Sequence, residues 1–518
     1  MEGGLEGALV VAAAFCIQIL VFGTSQSIGM FYIQWQRYFS RWGAAVSLVG
    51  SINLGVFLGA GPVSSLLLCR WSHRQVAMLG AVLTNLGLIV ILFAPNLDYM
   101  HAFFSVLTGL GNSLVYVSSH VLSGLYYSKY RSLATGIATA GSCLGSTVFP
   151  ILIHELIQYY GLLGSLFIIS GLNLHLLIFT ALLWPVPRRT QVLVSRADNL
   201  EEPESVTHGV NQNVEIEMRR DALSRSIYCD NEDHNGGVSV PREVLNQQLD
   251  INSECKDENL CVENVNIDKN NVSSPLMWST SKPQASASQT KTRITDFLIY
   301  LLSNIFWNAG ARIMLIFFAD DAFSMGLNNR DLIILFDLIG PANCVGCVLG
   351  GMLGNIRHFD RIHVYILGNF GAGLLACLIP WKATHTFWCL AIIVFLFWLM
   401  YGIILGLLVV VTSDLLGTKA LGCGFGFLTF SHMIGTFGGP CIAGTGSFVG
   451  PLITDWYIDS FENNDLAMYL SGGFLILGGA VMCLVPLRRR LCHTSHPTVV
   501  RCHDREEIIE PPDRCTGI

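Results

Sequence analysis

Residues 161–200 read GLLGSLFIISGLNLHLLIFTALLWPVPRRTQVLVSRADNL. From 162 to 184 the stretch is almost wholly apolar, close to the roughly 20 residues a helix needs to cross a bilayer core. Pro185 and Pro187 then stop the helical pattern, because proline lacks the backbone donor and clashes with the preceding turn. Arg188 and Arg189 follow, and beyond them the chain turns polar and acidic. A membrane helix with a basic stop and a long polar sequel divides the chain in two.

The apolar pattern repeats on both sides. Upstream lie five more runs, near 8–31, 44–68, 76–94, 100–123 and 132–154. Downstream of residue 292 lie six, near 294–318, 331–354, 362–380, 387–412, 420–445 and 466–487. The 518 residues are 52% hydrophobic and 13% charged, against about 25% charged in soluble domains. So little polar surface excludes a soluble enzyme, a nucleic-acid binder and a disordered scaffold. Continuous apolar runs, rather than alternating ones, exclude a membrane barrel. The expected fold is an all-α membrane protein of 12 transmembrane helices in two six-helix bundles. Residues 1–190 form the first bundle, 191–291 an acidic disordered loop, 292–490 the second bundle and 491–518 a polar tail. The first run lacks a basic leader and continues a helical pattern, so no cleaved signal peptide is expected.

Net charge is −7, but it is unevenly spread. Residues 191–290 hold 17 acids and 8 bases, which leaves 20 acids against 22 bases elsewhere. That segment is too poor in apolar residues to fold alone. Fourteen cations, among them Arg70, Arg74, Lys129, Arg131, Arg361, Lys419 and Arg488 to Arg490, sit in one set of inter-helix segments; four, Arg37, Arg41, Arg330 and Lys382, sit in the other. Basic segments stay on the cytosolic side. Both termini and the middle loop are therefore expected in the cytosol, where the sequon at Asn271 stays unglycosylated. The terminal Cys515-Thr516-Gly517-Ile518 lacks the aliphatic residues of a prenylation box.

Of the 16 cysteines, Cys143, Cys344, Cys347, Cys377 and Cys483 sit inside apolar runs, where a thiol packs as a small hydrophobe. Cys344 and Cys347 form a CxxC, but no second pair or histidine stands at zinc spacing. No metal or other cofactor is expected, and no GxxxxGK[ST] indicates nucleotide use.

The six-plus-six plan with a long link resembles that of major facilitator transporters, whose halves rock around a midplane site. Gly61-Pro62 followed by Arg70-Trp71-Ser72-His73-Arg74 resembles a degenerate form of that superfamily's basic loop. Around the fifth run the sequence is more specific. Tyr126-Tyr127-Ser128-Lys129-Tyr130-Arg131-Ser132-Leu133-Ala134-Thr135-Gly136-Ile137-Ala138-Thr139-Ala140-Gly141 resembles the signature of the monocarboxylate transporter family, Y-F-x-K-R-R-x-L-A-x-G-x-A-x-A-G. Tyr127 and Tyr130 replace a Phe and an Arg. Lys129 and Arg131 mark the entry to the helix, and Gly136 and Gly141 permit close helix approach. Thr412-Ser413-Asp414-Leu415-Leu416-Gly417, Gly439-Pro440 and Tyr469-Leu470-Ser471-Gly472-Gly473 are similar to further family patterns.

The resemblance covers about 1–190 and 292–487 and implies a divergent member, of invertebrate or orphan type. It implies the major facilitator fold, carriage of a carboxylate with a proton, a plasma-membrane location and a single-span accessory glycoprotein as partner. Two positions depart from the lactate-carrying pattern. Gln26 stands where those members place a helix 1 lysine, and Pro341 where they place the arginine of D-x-x-x-R; Asp337 is kept.

Charges inside a membrane helix are costly and usually functional. Arg312 and Asp337 are the two in mid-run, and Asn304, Asn308 and Arg312 share a helix face at spacings of four. Arg312 is expected to anchor a carboxylate in a central cavity through its planar fork. Asp337 would carry a proton or hold Arg312 until substrate arrives; a static pair that only fixes packing is the alternative. Gln26 is a further cavity candidate. Asn53, Asn112, Asn173, Asn343 and Asn369 are read as interhelical hydrogen bonds, and His120, His175 and His432 as packing residues. Arg70, Arg74 and Asp414 are expected to stabilise one conformation. The expected activity is alternating-access transport of a small organic solute. Alternatives are a facilitator of a neutral or amino-acid-like solute and a non-transporting receptor or scaffold.

Overall fold

The computed structural model describes residues 4–31, 34–36, 43–185, 282–356, 360–381, 386–442 and 464–494. Most of the middle loop, the C-terminal tail, Asn271, Arg188, Arg189 and Cys515 lie outside the described residues. Among the described residues, eleven helices are long and apolar enough to cross a membrane. They are α1 (Gly4–Phe31), α2 (Leu48–Leu68), α3 (His73–Phe93), α4 (Leu97–Leu125), an element spanning Arg131–Ala181, α7 (Lys291–Phe318), α8 (Arg330–Leu353), α9 (Arg361–Leu378), α10 (Phe387–Leu416), α11 (Thr418–Pro440) and α12 (Leu466–Leu491).

The element at Arg131–Ala181 has 51 residues. Laid straight it would run about 75 Å, more than twice a hydrocarbon core. It is broken at Gly161, whose φ of 68° and ψ of −170° are non-helical and suit glycine alone. The two arms are α5 (131–160) and α6 (162–181), so ten helices and two arms give the twelve crossings expected from the sequence. One boundary differs. The helix containing α7 begins at Lys282, inside the segment read as loop. Pro283 suits a first helical turn, where its missing N–H costs nothing, and no strong helix breaker follows before residue 291.

The outward faces are apolar: Phe167, Leu367 and Trp388 are 69%, 71% and 73% exposed. Inside each half, small residues bring helix backbones together. At Gly141 a Cβ would lie 3.0 Å from the carbonyl carbon of Phe15 on α1, with the carbonyl oxygen nearer still, so the signature glycine is fixed by α1–α5 packing. Two seams join the halves. Along one, α5 and α8 run antiparallel: Gly136 abuts the Cys347 carbonyl and Gly351 abuts the Ser132 carbonyl. Along the other, Ser65 Oγ on α2 donates to the Gly422 carbonyl on α11 at 2.7 Å.

The C-terminal half carries a buried ion cluster at the end bearing the basic loops. Asp296 on α7, 1% exposed, meets Arg488 at 2.6 Å and Arg489 at 3.1 Å, both on α12. Arg488 also donates to the Thr292 carbonyl at 2.7 Å. Asp296→Asn therefore leaves two cations facing one another at a buried site. It should cost about 2–3 kcal/mol, below the figure for a fully buried pair because both arginines reach solvent. A thermal midpoint in detergent equal to wild type would refute this.

Candidate functional site

A cavity of about 270 Å³ lies between the halves. Ser25 and Gln26 of α1 and Ser51 and Leu54 of α2 line one side; Arg312, Leu315 and Ile316 of α7 and Thr436 and Phe437 of α11 line the other. Gly29 and Gly50 complete it. All these residues come from the parts of their elements remote from the basic loops. Arg312 is the one charged residue in this lining, and no carboxylate accompanies it. It makes no hydrogen bond or ion pair with a described residue, and Tyr401 and His432 lie within electrostatic reach of it. Thr436 is 5% exposed, and its buried Oγ1 has no partner among the described residues. Ser25 Oγ is held from behind by Asn112 Nδ2 at 2.9 Å.

The expected site residues separate. Arg312 and Gln26 line the same cavity from opposite halves. Asn304 and Asn308 do not line it. Both are buried: Asn304 Nδ2 donates to Ser431 Oγ at 2.6 Å, its Oδ1 lies 3.0 Å from His432 Nε2, and Asn308 Nδ2 donates to the Asn304 carbonyl at 3.2 Å. Asp337 also stands apart. It is exposed on the strip of α8 that carries Ile333, Ile334, Pro341, Val345 and Met352, and no ion pair joins it to Arg312. The static-pair alternative thus has no geometric basis.

A polar and aromatic layer lies toward the basic end. Trp307 stacks on Tyr401 at 4.8 Å, and its ring lies 5.6 Å from His432. In the first half, Gln18 Nε2 lies 2.7 Å from His120 Nδ1, and His120 Nε2 lies 3.3 Å from Thr139 Oγ1. The His120 ring is 5.4 Å from Phe425 of the second half. Sequence reasoning missed Gln18, although a glutamine in mid-run of the first helix was a visible signal. It also missed Ser25, Ser51 and Thr436, because hydroxyls are unremarkable in membrane helices. Asn173 pairs with Thr24, and Asn53 with the Phe104 and Ser105 carbonyls, as interhelical bonds.

The signature cation Arg131 crosses between halves. It is 7% exposed; its Nε donates to the Gly124 carbonyl at 2.9 Å and its NH1 to Ser413 Oγ of α10 at 2.7 Å. Asp414, next in the chain, pairs with Arg361 of its own half at 2.7 Å. Lys129 lies 5.7 Å from the Tyr130 ring. Arg70 and Arg74 make no hydrogen bond or ion pair with a described residue. Ser72 between them forms a capping box with Gln75 that starts α3. Among the described residues, side-chain hydrogen bonds between the halves at the basic end include Arg131 to Ser413 and Ser65 to Gly422.

A family model described as Major Facilitator Superfamily matches residues 14–440. The chain belongs to that superfamily. As a major facilitator protein it is a transport protein rather than an enzyme. It is similar to monocarboxylate transporter 9 of Gallus gallus, with 26% identity across 98% of this chain and 96% of the relative. It is also similar to monocarboxylate transporter 14 of Mus musculus, with 24% identity across 97% and 94%. Monocarboxylate transporter 12 of Mus musculus shows 24% identity across 97% and 90%. Among solved structures, the proton:xylose symporter XylE bound to 6-bromo-6-deoxy-D-glucose superposes with a TM-score of 0.60 at 13% identity, covering 92% of this chain and 95% of that one. That likeness concerns the fold alone.

Proposed function

We propose that this protein carries a small monocarboxylate across the plasma membrane by exposing the cavity alternately to either side, with both termini in the cytosol. The observation that supports this is Arg312, a lone cation without a described partner in a lining of neutral hydrogen-bonding and apolar groups. A carboxylate entering this cavity meets the guanidinium with its head and Leu54, Leu315, Ile316 and Phe437 with its apolar body. An ammonium group would find no carboxylate there, so a simple carboxylate or hydroxy acid fits better than a zwitterionic amino acid. The names of the relatives support the same substrate class.

Proton coupling is the finer part of the proposal, together with an accessory glycoprotein in surface delivery. Uptake into vesicles by the full-length protein tests the whole. Monocarboxylates should be taken up faster than neutral amino acids, and an inward proton gradient should accelerate them. Equal uptake of both classes would favour the neutral-solute alternative, and indifference to the gradient would remove the proton.

A further inference from the structure

The CxxC of α8 has no partner in the sequence around it, but the fold brings one from the other half. Cys143 of α5 places its Sγ 3.6 Å from Cys347 Sγ, across 204 residues of chain. Cys143 and Cys347 are 2% and 0% exposed, and Cys344, half-buried, lies one turn earlier on α8. Ala140, Val348 and Leu405 surround the thiols. The close approach at Gly136 and Gly351 sets this spacing, because neither helix interposes a side chain there. A disulfide needs about 2.05 Å between sulfurs, so a shift of roughly 1.5 Å converts the contact into a bond. A metal is not indicated: among the described residues no group of three or more His, Cys, Asp or Glu could hold one.

We propose that Cys143 and Cys347 form a reversible disulfide under hydrogen peroxide, tying the two halves together along the α5–α8 seam. Peroxide oxidises one thiol to a sulfenic acid and releases one water. The other thiol attacks that sulfur; the S–S bond forms and the oxygen leaves with the thiol proton as a second water. Two thiols thus lose two electrons, and peroxide is reduced to two waters. A thiol reductant reverses the bond by exchange. Burial limits access, so the bond forms under sustained oxidant and not in a reducing cytosol. The chain between α6 and α7 already joins the halves covalently, and a second tie on the seam prevents their separation there.

The test uses full-length protein and no substrate, so its outcome is independent of the carboxylate proposal. The protein is treated with hydrogen peroxide, cut by protease in the middle loop, and run on a denaturing gel with and without reductant. The halves should migrate together without reductant and apart with it. Cys143→Ser and Cys347→Ser should abolish the link. Cys344→Ser should keep it, as should Cys423→Ser, which removes a thiol of the second half within electrostatic reach of Cys69 in the first. Mass spectrometry of the wild type should find the Cys143–Cys347 linked peptide, which makes the test independent of how the variants fold. Separation of the halves without reductant, absence of that peptide, or loss of the link in Cys423→Ser would overturn the proposal.

Discussion

Arg312→Gln should lower carboxylate uptake by about 100- to 20,000-fold, the loss of two charge-assisted hydrogen bonds at about 1.5–3 kcal/mol each. The guanidinium is the cavity's one charge, and a carboxylate that enters gives up its hydration to reach it. Glutamine keeps a donor of similar reach but has neither the charge nor the second parallel bond. The protein should fold normally, because no described anion loses its partner when Arg312 is removed. Arg312→Lys should retain part of the uptake, since it keeps the charge and loses the planar fork. Wild-type uptake by the glutamine variant, at equal amounts in the membrane, would sink the anchor role.

Gly61→Val and Gly426→Val should each push the conformational equilibrium away from the state described, by about 5- to 150-fold for an overpacking cost of about 1–3 kcal/mol. A Cβ at Gly61 would collide with Thr429 Oγ1 and the Gly426 carbonyl, and its nearest neighbours include the Gly426 carbonyl carbon at 3.1 Å. A Cβ at Gly426 would meet Ser65 Oγ and the Gly61 carbonyl in turn. Each glycine faces backbone of the opposite half as well as a hydroxyl, and the backbone clash is relieved only if α2 and α11 part at the basic end. The Ser65 to Gly422 bond would break with them. Hydrogen exchange over 61–71 and 418–429 should rise in both variants. Gly438→Val is the control, because nothing lies within 4 Å of a Cβ there. Unchanged exchange in both variants, or an equal rise in the control, would show that this seam does not hold the conformation.

The membrane architecture was legible because it depends on local arithmetic. A run such as 162–184 is long enough and apolar enough to cross, whatever the rest of the chain does. Arg312 was legible for the same reason: a charge in mid-run is expensive wherever the helix packs. The helix 5 signature was legible as a resemblance, and its glycine at Gly141 proves to be a contact with α1.

Asp337 shows where such reading stops. It is as costly in mid-run as Arg312, yet it stands on the exposed strip of α8 and outside the cavity lining. Asn304 and Asn308 share a helical face with Arg312, but Ser431 and His432 of α11 hold the Asn304 side chain, and Asn308 bonds back to the Asn304 carbonyl. Which neighbour faces a residue is set by helix rotation and tilt, and these follow from packing rather than from periodicity.

The sequence by itself determined twelve apolar crossings, their division about a long polar link, and a single cation, Arg312, in mid-run. Run length and the cost of burying charge are properties of each segment alone. Only the tertiary structure decided that Gln26 and Arg312 share a cavity, that Arg131 reaches Ser413, and that Cys143 touches Cys347. Those pairs are 286, 282 and 204 residues apart in the chain, and close contact over such separations exists only once the two bundles have packed.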